Sequence, residues 1–573
     1  MGTVDAAASI GTDHTERLLN GGAADSLWRS LSSHDPIQAQ NLTCVSIAKL
    51  IDDGPPSPTQ LEALLILDEH AQPISQQLLN LYVEGELQQR AFERNFWISA
   101  LRLCQSFFQA YDCFLRHIRH TADPYWLKRA HWVVVHMFHH RQTEFLLRFI
   151  RFKKRIPGQW KEVHETYRFA RARGLAMRSI GVGQTDDAQD TLTTPEQQYI
   201  RLLLLEAIND GQFSPRDALW ADGWFKRWCK LLHLQPPEAG GASHVQQRGF
   251  VVDLDATDGL QWASTATAGN PLFLDPSPLV AMIDKELTAL RDSDALQGAV
   301  ASASAGKLAL LAKLKPVFDP TASRVARTED RVPVDLAVQT IFSASSIIQV
   351  LRDEAMARAR EIPMHEPQLE GIAISPLGAG SNSPANGGAS AAGPTPMSIA
   401  DTPGVVPEVW QLRDRSDSGS RLRGQTDDLN RIIPGSLLAF RENDTAPWTV
   451  SVVRRFRRLM VDHVEIGVEH IGRSPRFVKL VTDYSGDSSP EVADSTQRCF
   501  AALYLPPSAR QPTMPINTLL LPECHFKVDS TVTLLSSDAT YTLRLNEPIQ
   551  QQFEFIWTSF TVVDKASVSD TAQ

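Results

Sequence analysis

The hydrophobic pattern divides the chain before any motif is considered. From Thr59 onward apolar residues recur three and four positions apart: Leu61, Leu64, Leu65 and Leu67, then Leu78, Leu79, Leu81 and Tyr82. That is the spacing of a helix with one buried face. Residues 84–120 carry a broad apolar face that includes Phe92, Phe96, Trp97, Phe107, Tyr111 and Phe114, and Asp123-Pro124 interrupts it, because the residue before a proline leaves helical backbone. Further helices are expected over 125–154, over 160–173 with Gly174 closing it, after Thr194-Pro195 and after Ser214-Pro215, where a hydroxyl residue followed by proline makes a helix start. Together these read as an irregular all-α helical domain over 59–235, with no fixed repeat length. In 236–360, a further helical region, helices are expected over 278–291, 305–314 and 335–359, with short extended pieces at 248–254 and 271–274.

Two stretches lack such a period. Residues 1–58, rich in Ala, Gly, Ser and Asp and ending in Gly54-Pro55-Pro56-Ser57-Pro58, read as a flexible N-terminal tail with a short helix near 24–31. Residues 361–406 are dominated by Ser, Pro, Gly and Ala and hold no aromatic residue. Such a segment cannot bury enough apolar surface to offset its ordering entropy and reads as a flexible linker. Beyond it the period falls towards two. Strands are expected over 409–413, 420–424, 435–441, 448–457, 464–471 and 476–481, separated by turn residues such as Pro434-Gly435 and Asn443-Asp444. They suggest an antiparallel β-barrel over 407–484. A second small β module over 496–565 follows a polar break at 485–495. The fold class expected is multidomain α + β.

Composition narrows the function. A chain of 573 residues with 43% hydrophobic content has room for several cores, and a net charge of −10 argues against a general nucleic-acid coat. The six cysteines include no C-x-x-C pair, which argues against a zinc ribbon and fits reduced thiols. The first 22 residues lack a basic and apolar leader, and no apolar run approaches the length of a membrane span. A cytoplasmic protein is expected.

Chemistry-bearing clusters are few. His136 and His140 stand four apart and share a helix face, but Met137 occupies the place of the glutamate in H-E-x-x-H; a His-rich surface between helices is the simpler reading. The run Arg148–Arg155 interleaves basic and aromatic residues at a helix end; it suits the helix dipole better than RNA. Trp220, Trp224 and Trp228 recur at helical spacing and read as core. There is no G-x-S-x-G elbow, no G-K-[ST] loop and no carboxylate pair spaced for acid–base work. The expectation is a protein that is not an enzyme and holds no metal or cofactor.

One turn stands apart. Asp414-Arg415-Ser416-Asp417-Ser418-Gly419 reads D-x-S-x-x-G between two expected strands. Asp and Ser side chains there bond nearby backbone, and Gly supplies positive φ. The turn, with Pro434–Phe440, Trp448–Arg454 and Glu465–Glu469 in order behind it, resembles the PilZ-domain family over about 405–483. The resemblance implies a bacterial six-stranded antiparallel barrel that binds cyclic di-GMP. It also implies an R-x-x-x-R pair on the segment leading into the barrel. No such pair occurs between position 361 and Asp414; Arg413, Arg415, Arg421 and Arg423, or Arg454, Arg455, Arg457 and Arg458, are the arginines available in its place. The site expected from the resemblance comprises Arg413, Asp414, Arg415, Ser416 and Gly419. The function implied is a bacterial cytoplasmic signalling protein, a cyclic di-GMP receptor or adaptor acting through an unnamed protein partner. The alternative is a helical scaffold with a degenerate PilZ-like domain that has lost the nucleotide.

Overall fold

The computed structural model describes residues 21–31, 34–52, 54–84, 90–153, 156–181, 192–236, 249–263, 271–294, 301–322, 330–361, 405–426, 432–460, 462–482, 498–507, 516–535, 539–552 and 554–567. The chain forms two compact units, Met1–Arg324 and Val325–Gln573.

The first unit is mainly helical. Its helices are α1 (Gly21–Leu31), α2 (Pro36–Asp52), α3 (Pro58–Glu84), α4 (Arg90–His120), α5 (Pro124–Phe149), α6 (Gln159–Ala172), α7 (Pro195–Ala207), α8 (Pro215–Trp228), α9 (Ser277–Asp294) and α10 (Ala301–Phe318). Their starts follow from local chemistry. Asp123 accepts the Tyr125 N–H ahead of α5, and Thr194 and Ser214 each close a capping box, with Gln197 and Asp217, ahead of prolines at the first turn. Gly174, at φ 65°, ends α6 while the Leu175 N–H returns to the Ala170 carbonyl. Helix α5 is buried on most sides, packing Trp126, Val133, Val134, Phe138 and Phe145 against α4 and α7 while also burying the polar His136, His140, Arg141 and Glu144. Trp224, Phe225 and Trp228 are core residues, as expected, whereas Trp220 is only half-buried. Two small sheets complete the unit: Ile180–Gly181 pairs with Leu192–Thr193, and four short strands follow the order Leu234–Gln235, Pro271–Leu274, Phe250–Asp253, Gln261–Trp262.

The region before Thr59 holds more structure than its composition suggests. Helices α1 and α2 bury Ala24, Leu27, Leu31, Ile47 and Leu50 in the same core as α3 and α4. Small polar residues hide this face: Thr43 and Ser46 return their hydroxyls to the Ala39 and Leu42 carbonyls inside the helix. Residues 1–20 lie outside the described residues.

The second unit begins with a strand where the sequence predicts a helix. The stretch 335–359, expected as one helix, is a strand, Val332–Phe342, followed by helix α11 (Ala344–Glu361). Its mixed apolar spacing fits either state. What makes it a strand is non-local: it pairs with Glu408–Arg415 on one side and Leu437–Arg441 on the other. The first closed barrel therefore runs, in hydrogen-bonded order, Val332–Phe342, Glu408–Arg415, Gly419–Gln425, His463–Arg473, Thr449–Arg458 and Leu437–Arg441. Arg476–Thr482, expected as the sixth strand of that barrel, opens the second one instead, which continues through Arg498–Leu505, Thr518–Leu521, Ile556–Ser567, Ala539–Gln551 and Thr531–Leu535. Both barrels connect their strands alike: first, second, third, sixth, fifth, fourth, then back to the first. Leu437, Trp448 and Val450 of the first, Leu503, Leu505 and Trp557 of the second, and Ile347 and Leu351 of α11 share one apolar cluster. The expected linker at 361–406 and polar break at 485–495 lie almost wholly outside the described residues.

Candidate functional site

The D-x-S-x-x-G turn joins the second and third strands of the first barrel, Glu408–Arg415 and Gly419–Gln425. Its first residue is buried rather than open. Asp414 has 7% relative exposure, and its two carboxylate oxygens are divided between two guanidiniums. Arg331 donates to Oδ1 at 2.6 Å and Arg421 Nε lies 2.6 Å from Oδ2. Charge-assisted bonds of this length are the strong kind, and here a buried carboxylate meets two guanidiniums that solvent partly reaches.

Ser416 shapes the turn. Its N–H reaches the Gly419 carbonyl at 2.7 Å and its hydroxyl reaches the same oxygen at 3.3 Å. Gly419 does not supply positive φ, contrary to expectation, since it is absent from the residues with that conformation. The glycine is required by proximity: a Cβ there would sit 2.6 Å from the Val468 carbonyl oxygen on the neighbouring strand.

The other expected arginines are near the turn but engaged. Arg413 bonds Asp335 and Arg415 bonds Glu442, each at 2.7 Å, while Arg423 reaches Glu465 at 3.0 Å. The first two pairs are exposed, where ion pairs contribute little and exchange readily, whereas Glu465 is largely buried. On the strand Thr449–Arg458, Arg454 bonds Glu469 and Gln550, and Arg458 bonds the Met460 carbonyl.

Arg331 is the residue that reading the sequence in order misses. It lies immediately before the first barrel strand, and with Arg327 it spells R-x-x-x-R, Arg327-Thr328-Glu329-Asp330-Arg331. The spacing is legible in the sequence. It goes unrecognised as long as 335–359 is taken for a helix, because the barrel is then expected to start after the linker. Arg327 itself lies outside the described residues.

The histidine cluster of the first unit is internal, not a surface. His136 Nδ1 and His140 Nε2 lie 2.7 and 2.9 Å from the same oxygen of Asp68, which also accepts the Tyr111 hydroxyl at 2.9 Å. Burial opposes ionisation of Asp68, but the charges and hydrogen bonds of His140 and His136 outweigh it and hold the carboxyl well below the usual range. Burial, reinforced by Asp68, pushes the Tyr111 phenol up. Among the described residues no group of His, Cys, Asp and Glu could hold a metal ion. Of the basic run after Arg148, Phe149 and Ile150 are buried, Arg148 bonds Glu144, and Arg151 and Lys153 lie over the Trp97 ring; Lys154 and Arg155 lie outside the described residues. Among the described residues no helix is long and apolar enough to cross a membrane.

Comparison with known proteins bears on the helical unit, not on the barrels where the sequence resemblance lies. No curated protein and no solved structure matches the chain. Residues 22–238 match the family model described as the N-terminal domain of the cyclic-di-GMP receptor FimW, and in that part the chain is similar to that domain.

Proposed function

We propose that the chain is a cyclic di-GMP receptor: a bacterial cytoplasmic signalling protein whose first barrel, of PilZ type, takes the dinucleotide at the rim around Arg331, Asp414, Ser416 and Gly419. It acts through contacts with another protein. The observation that carries the reading is the bond from Arg331 to Asp414, which joins the end of R-x-x-x-R to the start of D-x-S-x-x-G at one edge of a closed six-stranded barrel. The similarity of residues 22–238 to the N-terminal domain of a cyclic-di-GMP receptor supports it from a separate part of the chain. In this reading the guanidiniums of Arg331 and Arg327 hold phosphates and stack on guanine, Arg413 and Arg415 flank them, and Asp414 and Ser416 meet a guanine edge.

Isothermal titration of the full chain with cyclic di-GMP tests it. Saturable heat in the micromolar range is expected, with Arg331→Ala weakening binding about ten- to hundredfold, the worth of one charge-assisted contact. No heat at high micromolar ligand defeats the proposal.

A second reading has an observation in its favour. Both Asp414 oxygens already hold guanidinium partners, so the turn can serve as a fastening inside a scaffold barrel without ligand. That reading requires Arg327→Ala, at the first arginine of R-x-x-x-R, to leave partner binding and signalling unaltered.

A further inference from the structure

The residue behind the D-x-S-x-x-G turn is His470, on the sixth strand of the first barrel, with 6% relative exposure. It meets the turn at three points. Its backbone N–H donates to the Ser418 carbonyl at 2.9 Å. Its ring Nδ1 lies 3.2 Å from the Asp417 carbonyl oxygen, and Nε2 lies 2.9 Å from the Ser420 hydroxyl. A carbonyl oxygen can only accept, so Nδ1 carries the proton; in the neutral ring Nε2 then accepts the Ser420 hydroxyl hydrogen. Phe440 packs against the imidazole, ring centroids 5.7 Å apart, and Ser420 is itself 1% exposed. The ring cannot leave without stranding a buried hydroxyl.

We propose that His470 is a positioning residue for the ligand turn: it holds Asp417, Ser418 and Ser420 in the arrangement from which Ser416 and Asp414 receive the dinucleotide. The inference rests on the function proposed above. The Ser416–Gly419 bond closes the turn from within, but nothing in that bond ties the turn to the barrel wall. His470 does so through one side chain and one backbone group. A turn fixed before the ligand arrives spares the ligand the entropy of ordering it. His470 does not touch the ligand, so its loss acts on affinity through the turn.

The test uses the full chain with three substitutions. His470→Phe keeps the ring and removes both polar contacts. His470→Asn keeps a donor near the position of Nδ1, and His470→Gln keeps a polar group near that of Nε2. Cyclic di-GMP titration is run beside amide hydrogen exchange at Ser416 and His470. His470→Phe is expected to weaken binding about tenfold and to speed exchange at both amides, while barrel amides away from the turn keep their rates. His470→Asn is expected to recover most of the affinity and His470→Gln less, because the Asp417 carbonyl needs a donor. Wild-type affinity in His470→Phe, or unchanged exchange at the turn, overturns the proposal. If His470→Phe does not fold, the Asn and Gln variants decide, and equal affinities for the two overturn it. The exchange measurement needs no ligand: absence of wild-type binding overturns the proposed function, whereas unchanged exchange overturns the role of His470.

Discussion

Arg331 and Asp414, 83 positions apart in the chain, meet at 2.6 Å on one edge of the first barrel. The strand that follows Arg331 pairs along its length with the strand that carries Asp414. One interaction therefore fastens the barrel's first two strands and brings together the two halves of the candidate ligand motif. A double-mutant cycle separates these roles. Asp414→Ala removes a buried carboxylate but leaves two guanidiniums that solvent reaches, and is expected to lower stability by about 1–3 kcal/mol. The double variant Arg331→Ala/Asp414→Ala is expected to be less destabilised than the two single changes added together, read from urea unfolding midpoints. Strict additivity would mean that the pair contributes nothing as a pair.

Glu442 holds Arg415 in an exposed ion pair. In the proposed binding mode, a ligand phosphate at the rim has to draw that guanidinium away. Glu442→Gln is therefore expected to tighten cyclic di-GMP binding by a few-fold, in keeping with the ~0.2–1 kcal/mol of a surface pair, and the gain should shrink as salt is raised. Titration at low and high ionic strength checks both. A loss of affinity would place Glu442 among the groups that hold the ligand.

Gly419→Ala presses a methyl group against the Val468 carbonyl oxygen, 2.6 Å away, on a strand paired to its neighbour through seven successive positions. Backbone on both sides resists displacement, so the expected cost is about 1–3 kcal/mol, seen as an earlier urea midpoint. Gly467→Ala is the control, since its Cβ would meet only the Arg455 Cβ at an ordinary 3.5 Å.

Asp68 gives the helical unit an acid dependence. Its carboxyl is held well below the ordinary value in the folded chain by His140 and His136, against the penalty of burial. In the unfolded chain it titrates near the ordinary aspartate value of about 3.9. Between those two values the unfolded state binds the extra proton, so stability rises with pH. The contribution is complete above the unfolded value and is lost as pH falls towards the folded one. Unfolding midpoints measured across that acid range should fall with pH in the wild type. In Asp68→Asn the slope should flatten, and near neutral pH the variant should be less stable by about 3–5 kcal/mol. An unchanged slope would remove Asp68 from the account.

How much of this was legible in the sequence differs from element to element. The helices after Asp123, Thr194 and Ser214 were legible because their signals are local: a capping side chain, a proline in the first turn and an apolar period lie within a few residues. The strands beyond position 405 were legible for the same reason, since alternation and turn residues are short-range properties. Helix α2 was not, because its buried Thr43 and Ser46 satisfy their hydroxyls inside the helix and leave no polar signature of their burial.

The amino-acid sequence by itself determined that a helical half precedes a β-rich half, where most helices begin, and that one turn carries Asp, Ser and Gly in the spacing D-x-S-x-x-G. Only the tertiary structure decided that Val332–Phe342 is a strand, that Arg476–Thr482 belongs to the second barrel, and that Arg331 faces Asp414. The physical reason is the same in each case. A strand is stabilised by hydrogen bonds to neighbours that lie far along the chain, and these are absent from any local window. Which barrel a strand closes, and which arginine stands beside which aspartate, exists as a property only once those distant partners have met.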